Sequence, residues 1–231
     1  MKRLEIGYAA EHERRQPLDQ LKDAILAEEV GFDFVWTFDH FHPLADTNAA
    51  GGFAWTWMTA LAERTKRIKI GTSVTCPSFR YHPAIVAQAF ATMENMYPGR
   101  IELGVGTGEA TNEVPLRGSW PSVSERVERL AEAVRIIRKL WNEEWVSFVG
   151  RFWTIKKARL YTRAAKSIPI YIAAGGPKMA EIAGELGDGM ITALAFTSQN
   201  YCKDVLFPAF DRGALKAGKD PADLERAVEV W

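Results

Sequence analysis

An aspartate and a histidine stand side by side in Thr37-Phe38-Asp39-His40-Phe41-His42-Pro43, and this pair is the first feature of the sequence that could move a proton. Imidazole titrates near neutrality, so His40 can take up or release a proton, while an adjacent carboxylate can orient a donor or a cofactor. In an isolated loop such a pair reads as a satisfied polar turn; at the end of a barrel strand it reads as catalytic. A second stretch, Gly106-Thr107-Gly108-Glu109-Ala110-Thr111-Asn112-Glu113, alternates glycines that let the backbone approach a flat ligand, with Glu109 facing it. A third, Ala174-Gly175-Gly176-Pro177-Lys178-Met179, allows two readings. Its glycines open a helix whose free N–H groups can hold a phosphate, or they make a tight strand-to-helix turn. Ser73 to Pro83 contains Cys76, two prolines and β-branched residues, a stiff connector by default.

These segments each follow a short apolar run. Leu4–Ala9, Phe34–Phe38, Ile68–Thr72, Ile101–Val105, Ile168–Ala173, Met190–Ala193 and Ala227–Trp231 read as strands. Between them, Leu18–Val30, Trp55–Arg64, Pro83 to about Tyr97, Val123–Trp141, Lys178–Leu186 and Ser198–Ala217 carry helical periodicity. Trp145–Phe148 and Phe152–Ile155, flanking Gly150-Arg151, predict a small β-hairpin insertion near 145–155. Strict alternation of strand and helix predicts a parallel sheet under helices. No glycine follows the first strand, where a doubly wound dinucleotide fold needs its fingerprint. The prediction is one α/β domain over 1–231, a TIM-type β/α barrel shortened to about seven of the eight strands. Its chemistry belongs at the C-terminal strand ends, where the three segments lie.

The remaining composition excludes several classes. Twenty-nine basic residues balance 29 acidic ones, which argues against a nucleic-acid or anionic-membrane partner. Two distant cysteines, Cys76 and Cys202, predict neither a disulfide framework nor a metal site. No apolar stretch nears the ~20 residues of a membrane span, and no signal-peptide pattern opens the chain, so a cytoplasmic protein is expected.

Together the quoted loops resemble the deazaflavin-dependent branch of the bacterial-luciferase-like superfamily. The resemblance extends to Arg80-Tyr81-His82-Pro83-Ala84-Ile85-Val86-Ala87-Gln88 and Tyr97-Pro98-Gly99-Arg100, and so spans most of the chain. It implies coenzyme F420 as the cofactor and hydride transfer to or from a secondary alcohol or ketone, in a homodimer. It implies His40, Glu109 and Glu13 as catalytic groups. Asp39, Ser73, Val74, Cys76, Thr107, Gly108, Asn112, Ala174, Gly175, Gly176, Lys178 and Met179 would surround the cofactor, with a cis peptide at Ser73–Val74. Departures from the family pattern are Leu44 in place of a tryptophan, and Ala193 and Phe196 in place of a threonine and a lysine that grip a sugar phosphate. Glucose 6-phosphate is therefore not expected as substrate. Two other readings compete: a shortened, non-catalytic F420- or flavin-binding protein, and an FMN-dependent luciferase-like monooxygenase.

Overall fold

Strands buried on both faces are the mark of a parallel sheet under helices, and Ile101–Val105 is buried at all five positions. The computed structural model describes residues 3–46 and 49–230. Within them seven parallel strands form one sheet: β1 (Gly7–Ala10), β2 (Phe34–Thr37), β3 (Lys69–Thr72), β4 (Ile101–Val105), β7 (Ile170–Ala173), β8 (Gly189–Ala193) and β9 (Glu225–Glu229), hydrogen-bonded in that order. The sheet curls into a nearly closed barrel, with β1 and β9 as its two edges among the described residues. Trp231, expected to end the last strand, lies outside the described residues.

Helices α1 (Pro17–Glu29), α2 (Ala54–Arg64), α3 (Pro83–Met96), α5 (Val123–Asn142), α6 (Pro177–Leu186) and α8 (Phe207–Lys216) start where the residue types allow. Proline opens α1, α3 and α6, where its missing N–H breaks no helical bond. Ser122 caps α5 by accepting from the N–H of Glu125. The layer between strands and helices is one large core, with Phe90, Phe210, Met58 and Leu61 fully buried. A second, smaller core of Trp36, Tyr171 and Ile191 fills the inside of the barrel. The Trp36 indole donates to the buried carboxylate of Glu102 at 2.7 Å.

The expected hairpin is present as β5 (Val146–Val149) and β6 (Thr154–Ala158), antiparallel. Two elements differ from the sequence reading. Ala110–Arg117 forms an unpredicted helix, α4, which contains Pro115 and ends on Gly118 at φ 73°. The glycines before it and the internal proline gave that stretch the look of a loop. The helix expected over Ser198–Ala217 is broken into α7 (Gln199–Tyr201), a π-helical turn at Cys202–Leu206, and α8. Pro208 explains the break. Its ring collides with the carbonyl four residues back and brings no N–H, and a wider turn relieves both.

Candidate active site

The parallel register sets Ala10, Thr37 and Thr72 side by side, so the segments that follow β1, β2 and β3 emerge at one end of the barrel. At that end the segments after β2, β3, β4, β7 and β8, with the last residue of β9, enclose a cavity of about 330 Å³. Of the residues singled out in the sequence, His40, Glu109, Asp39, Ser73, Val74, Cys76, Thr107, Gly108, Asn112, Ala174, Gly175 and Met179 line it. Glu13, Gly176 and Lys178 are not among its lining residues. Glu13 stands behind His40, Gly176 is the N-cap of α6, and Lys178 is exposed on that helix's first turn.

The wall built by β1 to β4 is densely hydrogen-bonded. Glu13, buried, grips Nδ1 of His40 with one carboxylate oxygen, and the other accepts the N–H of Leu44 at 2.9 Å. Nδ1 therefore carries the proton that faces Glu13, and Nε2 is left as the free ring nitrogen. It lies 3.7 Å from a carboxylate oxygen of Glu109. Asn112, projected by α4, holds the same loop from the other side. Its amide oxygen accepts the N–H groups of Phe41 (2.7 Å) and His42 (3.0 Å), and its amide nitrogen donates to Glu109 at 3.3 Å. Asn112 thus fixes the His40 loop while lining the cavity.

Asp39 is similarly engaged. It accepts from the Thr75 hydroxyl (2.8 Å) and the Tyr81 hydroxyl (2.9 Å), and Arg80 donates to its backbone carbonyl. Arg80 also bonds Glu113 through Nε at 3.2 Å. Burial pushes the carboxyls of Asp39 and Glu113 up, and Arg80 opposes this at both. One guanidinium thus serves two buried carboxylates. Arg80, Glu113 and Tyr81 were read in the sequence only as parts of longer segments. Their role comes from contacts between residues 33 to 42 positions apart, which spacing along the chain does not reveal.

The floor and far wall are different in kind. Ser73–Val74 is a cis peptide, as the resemblance implies. Gly108 has φ +80°, and a Cβ there would lie 2.8 Å from Cys76 Sγ, so only glycine fits. Burial, with Glu113 nearby, pushes the Cys76 thiol up to about 12, which makes it a packing group rather than a nucleophile. Across the cavity stand Ala173, Ile191, Thr192, Ala193, Phe196 and Thr197. Gly176 caps α6 without a side-chain hydrogen bond. A Cβ on Gly175 or Gly176 would meet nothing within 4 Å, so the segment that opens α6 has open space beside it. One further carboxyl, Glu229 at the end of β9, lines the cavity and was not singled out in the sequence.

A parallel β/α barrel with its polar groups gathered at the strand ends and a cis peptide on the cavity floor is the frame on which residues 5–230 match the luciferase-like monooxygenase family; the chain belongs to that family. It is 46% identical over 228 residues to the F420-dependent glucose-6-phosphate dehydrogenase of Amycolatopsis mediterranei (strain U-32), covering 98% of this chain and 68% of that protein. Identity to the corresponding protein of Kribbella flavida (strain DSM 17836 / JCM 10339 / NBRC 14399) is 48%, with the same coverage. The structure of an F420-dependent secondary alcohol dehydrogenase in complex with an F420–acetone adduct superposes with a TM-score of 0.96 at 47% identity, over 98% of this chain and 68% of that one. The coenzyme F420-dependent tetrahydromethanopterin reductase of Methanopyrus kandleri, at 24% identity and a TM-score of 0.80, shares the fold. No helix among the described residues is long and apolar enough to cross a membrane.

Proposed function

We propose that this chain binds coenzyme F420 in the cavity and moves hydride between it and a secondary alcohol or ketone. The observation that carries the reading is His40, held by Glu13 through Nδ1, with Nε2 free 3.7 Å from Glu109 at the mouth of the barrel. The residues fit a phosphate-bearing flat cofactor. Gly175 and Gly176 leave open space over the uncapped start of α6, and the cis peptide and Gly108 form a bare floor. The identity to F420-dependent relatives selects F420 among such cofactors.

When bound, the deazaflavin supplies the carbon that accepts or returns hydride. His40 does the proton half of the reaction, taking the alcohol proton at Nε2 on oxidation and giving it back on ketone reduction. Glu13 fixes the ring that does so. Glu109, on the same wall, holds a second proton-accepting group beside Nε2.

The substrate is uncharged. Among the described residues lining the cavity, Arg80 is the one lysine or arginine, and it is engaged by Asp39 and Glu113. Ala193 and Phe196 offer a phosphate no hydrogen-bonding or charged side chain. Two chains are expected to associate, as the resemblance to the deazaflavin-dependent branch implies; sedimentation velocity would test this, a monomer at micromolar concentration contradicting it. Calorimetric titration with F420 and FMN tests the cofactor reading. Tighter binding of F420 supports it, and preference for FMN would move the chain to the monooxygenase reading.

A further inference from the structure

Glu229 is the only carboxyl that the far wall sends into the cavity among the described residues, and its placement follows from register. β9 pairs with β8 so that Glu229 lies opposite Ala193, and its carbonyl accepts the N–H of Leu194 at 2.9 Å. Along β9 the side chains alternate. Ala227 packs on the core inside the barrel, whereas Arg226 lies over the rings of Phe207 and Phe210 on the helix side. Glu229 shares the inward face of Ala227 and lines the cavity with Leu44, Ala193 and Phe196. The groups that interact with its charge come from across the seam between the first and last strands: Glu11 after β1 and His40 after β2.

We propose that Glu229 is a specificity-determining residue of this cavity, hydrogen-bonding a second polar group of an uncharged, hydroxylated substrate and excluding substrates that carry a negative charge. The inference rests on the proposed hydride transfer only for what is turned over; the selection itself is a property of binding. Leu44, Ala193 and Phe196 are apolar, so on that side a substrate oxygen can be bonded by the hydroxyls of Thr192 and Thr197 or by Glu229, and of these Glu229 alone can carry a charge. An anion held at His40 would lie in the field of Glu229, Glu109, Glu11 and Glu13, with Arg80 already engaged by Asp39 and Glu113. No basic group faces Glu229 from β8 or the segment after it, which contribute Thr192, Ala193, Phe196 and Thr197. Burial pushes the Glu229 carboxyl up to about 7, with Glu11 adding to the rise and His40 opposing it. Near neutrality the group therefore both donates a hydrogen bond and, once ionised, repels an anion.

The test compares butane-2,3-diol with 3-hydroxybutyrate, which replaces one hydroxyl-bearing end by a carboxylate. Binding of each is measured by calorimetry to wild type, Glu229→Gln and Glu229→Asp, without cofactor and with reduced F420, where an alcohol forms a dead-end complex. Turnover with oxidised F420 is measured on the same samples. The expected result is preference for the diol in wild type, stronger at pH 8 than at pH 6. Glu229→Gln should reduce that preference by roughly tenfold, the scale of one like-charge repulsion in a partly screened site, and remove its pH dependence. Glu229→Asp should retain most of it. An unchanged preference in Glu229→Gln would overturn the proposal, whether or not the chain turns over. Absent turnover with the expected binding difference would instead overturn the hydride-transfer reading and leave the selection standing.

Discussion

The two walls of the cavity are built on opposite principles. The wall from β1 to β4 holds its polar side chains in three hydrogen-bonded groups: Glu13 with His40, Asn112 with Glu109 and the His40 loop, and Asp39 with Thr75, Tyr81, Arg80 and, through Arg80, Glu113. The wall from β7 to β9 is mostly small and apolar, with open backbone at Gly175 and a single carboxyl at Glu229. A hydrogen-bonded polar wall holds a proton-transfer group in one orientation, because each side chain is fixed by its partner and a broken pair leaves a buried polar group unsatisfied. An open, apolar wall has room to admit a ligand and to discriminate by shape and charge. On the proposed function, chemistry and selection occupy different strands, so that each should respond to its own substitutions.

The largest effect should come from the proton-transfer group. His40→Ala is expected to lower kcat by ~10²–10⁴-fold while F420 affinity, measured by titration calorimetry, changes little. Turnover within about threefold of wild type would remove His40 from the mechanism. Next is the charge network. Arg80→Met leaves Asp39 and Glu113 buried without their cation and should cost about 3–5 kcal/mol in urea unfolding. A loss below ~1 kcal/mol would show that the wall is not held by this residue. The far wall predicts a selective effect: glucose 6-phosphate should not reduce the cofactor in a spectrophotometric assay, and robust reduction would refute the reading of Ala193 and Phe196.

The smallest effect belongs to a residue behind the hydrogen-bonded wall. His12 is buried edge-on to Trp57, with no partner for either ring nitrogen. Burial lowers its pKa to about 4. The folded state thus prefers neutral His12, and stability present above pH 6.5 is lost as pH falls toward 4. His12→Phe should flatten the fall in melting temperature between pH 6.5 and 4.5. An equal fall in both proteins would assign the acid sensitivity elsewhere.

The fold was readable because a parallel barrel repeats one pattern, an apolar run followed by a helix, and the bounds of each strand from β1 to β8 lie within three residues of their expected place. Its local exceptions were not readable from periodicity: α4 contains Pro115 behind a glycine-rich turn, and the π turn before Pro208 repairs a clash that only the folded helix has. For the site, the divide follows the kind of signal. His40, Glu109 and Gly175 stand in short motifs whose chemistry is local. Arg80 and Glu113 acquire their role through contacts between separate loops. Glu229 sits in a strand whose outward Arg226 and exposed Val228 make it look like surface, and it faces the cavity because the barrel curls the last strand back toward the first.

The most direct test of the central claim is single-turnover reaction of the purified chain with oxidised F420 and propan-2-ol, followed by loss of the deazaflavin absorbance. Wild type is predicted to bleach the cofactor and form acetone, and His40→Ala to bind the cofactor and leave it oxidised over the same interval. Bleaching at the same rate in both proteins would contradict the account, as would binding of F420 with no bleaching in wild type.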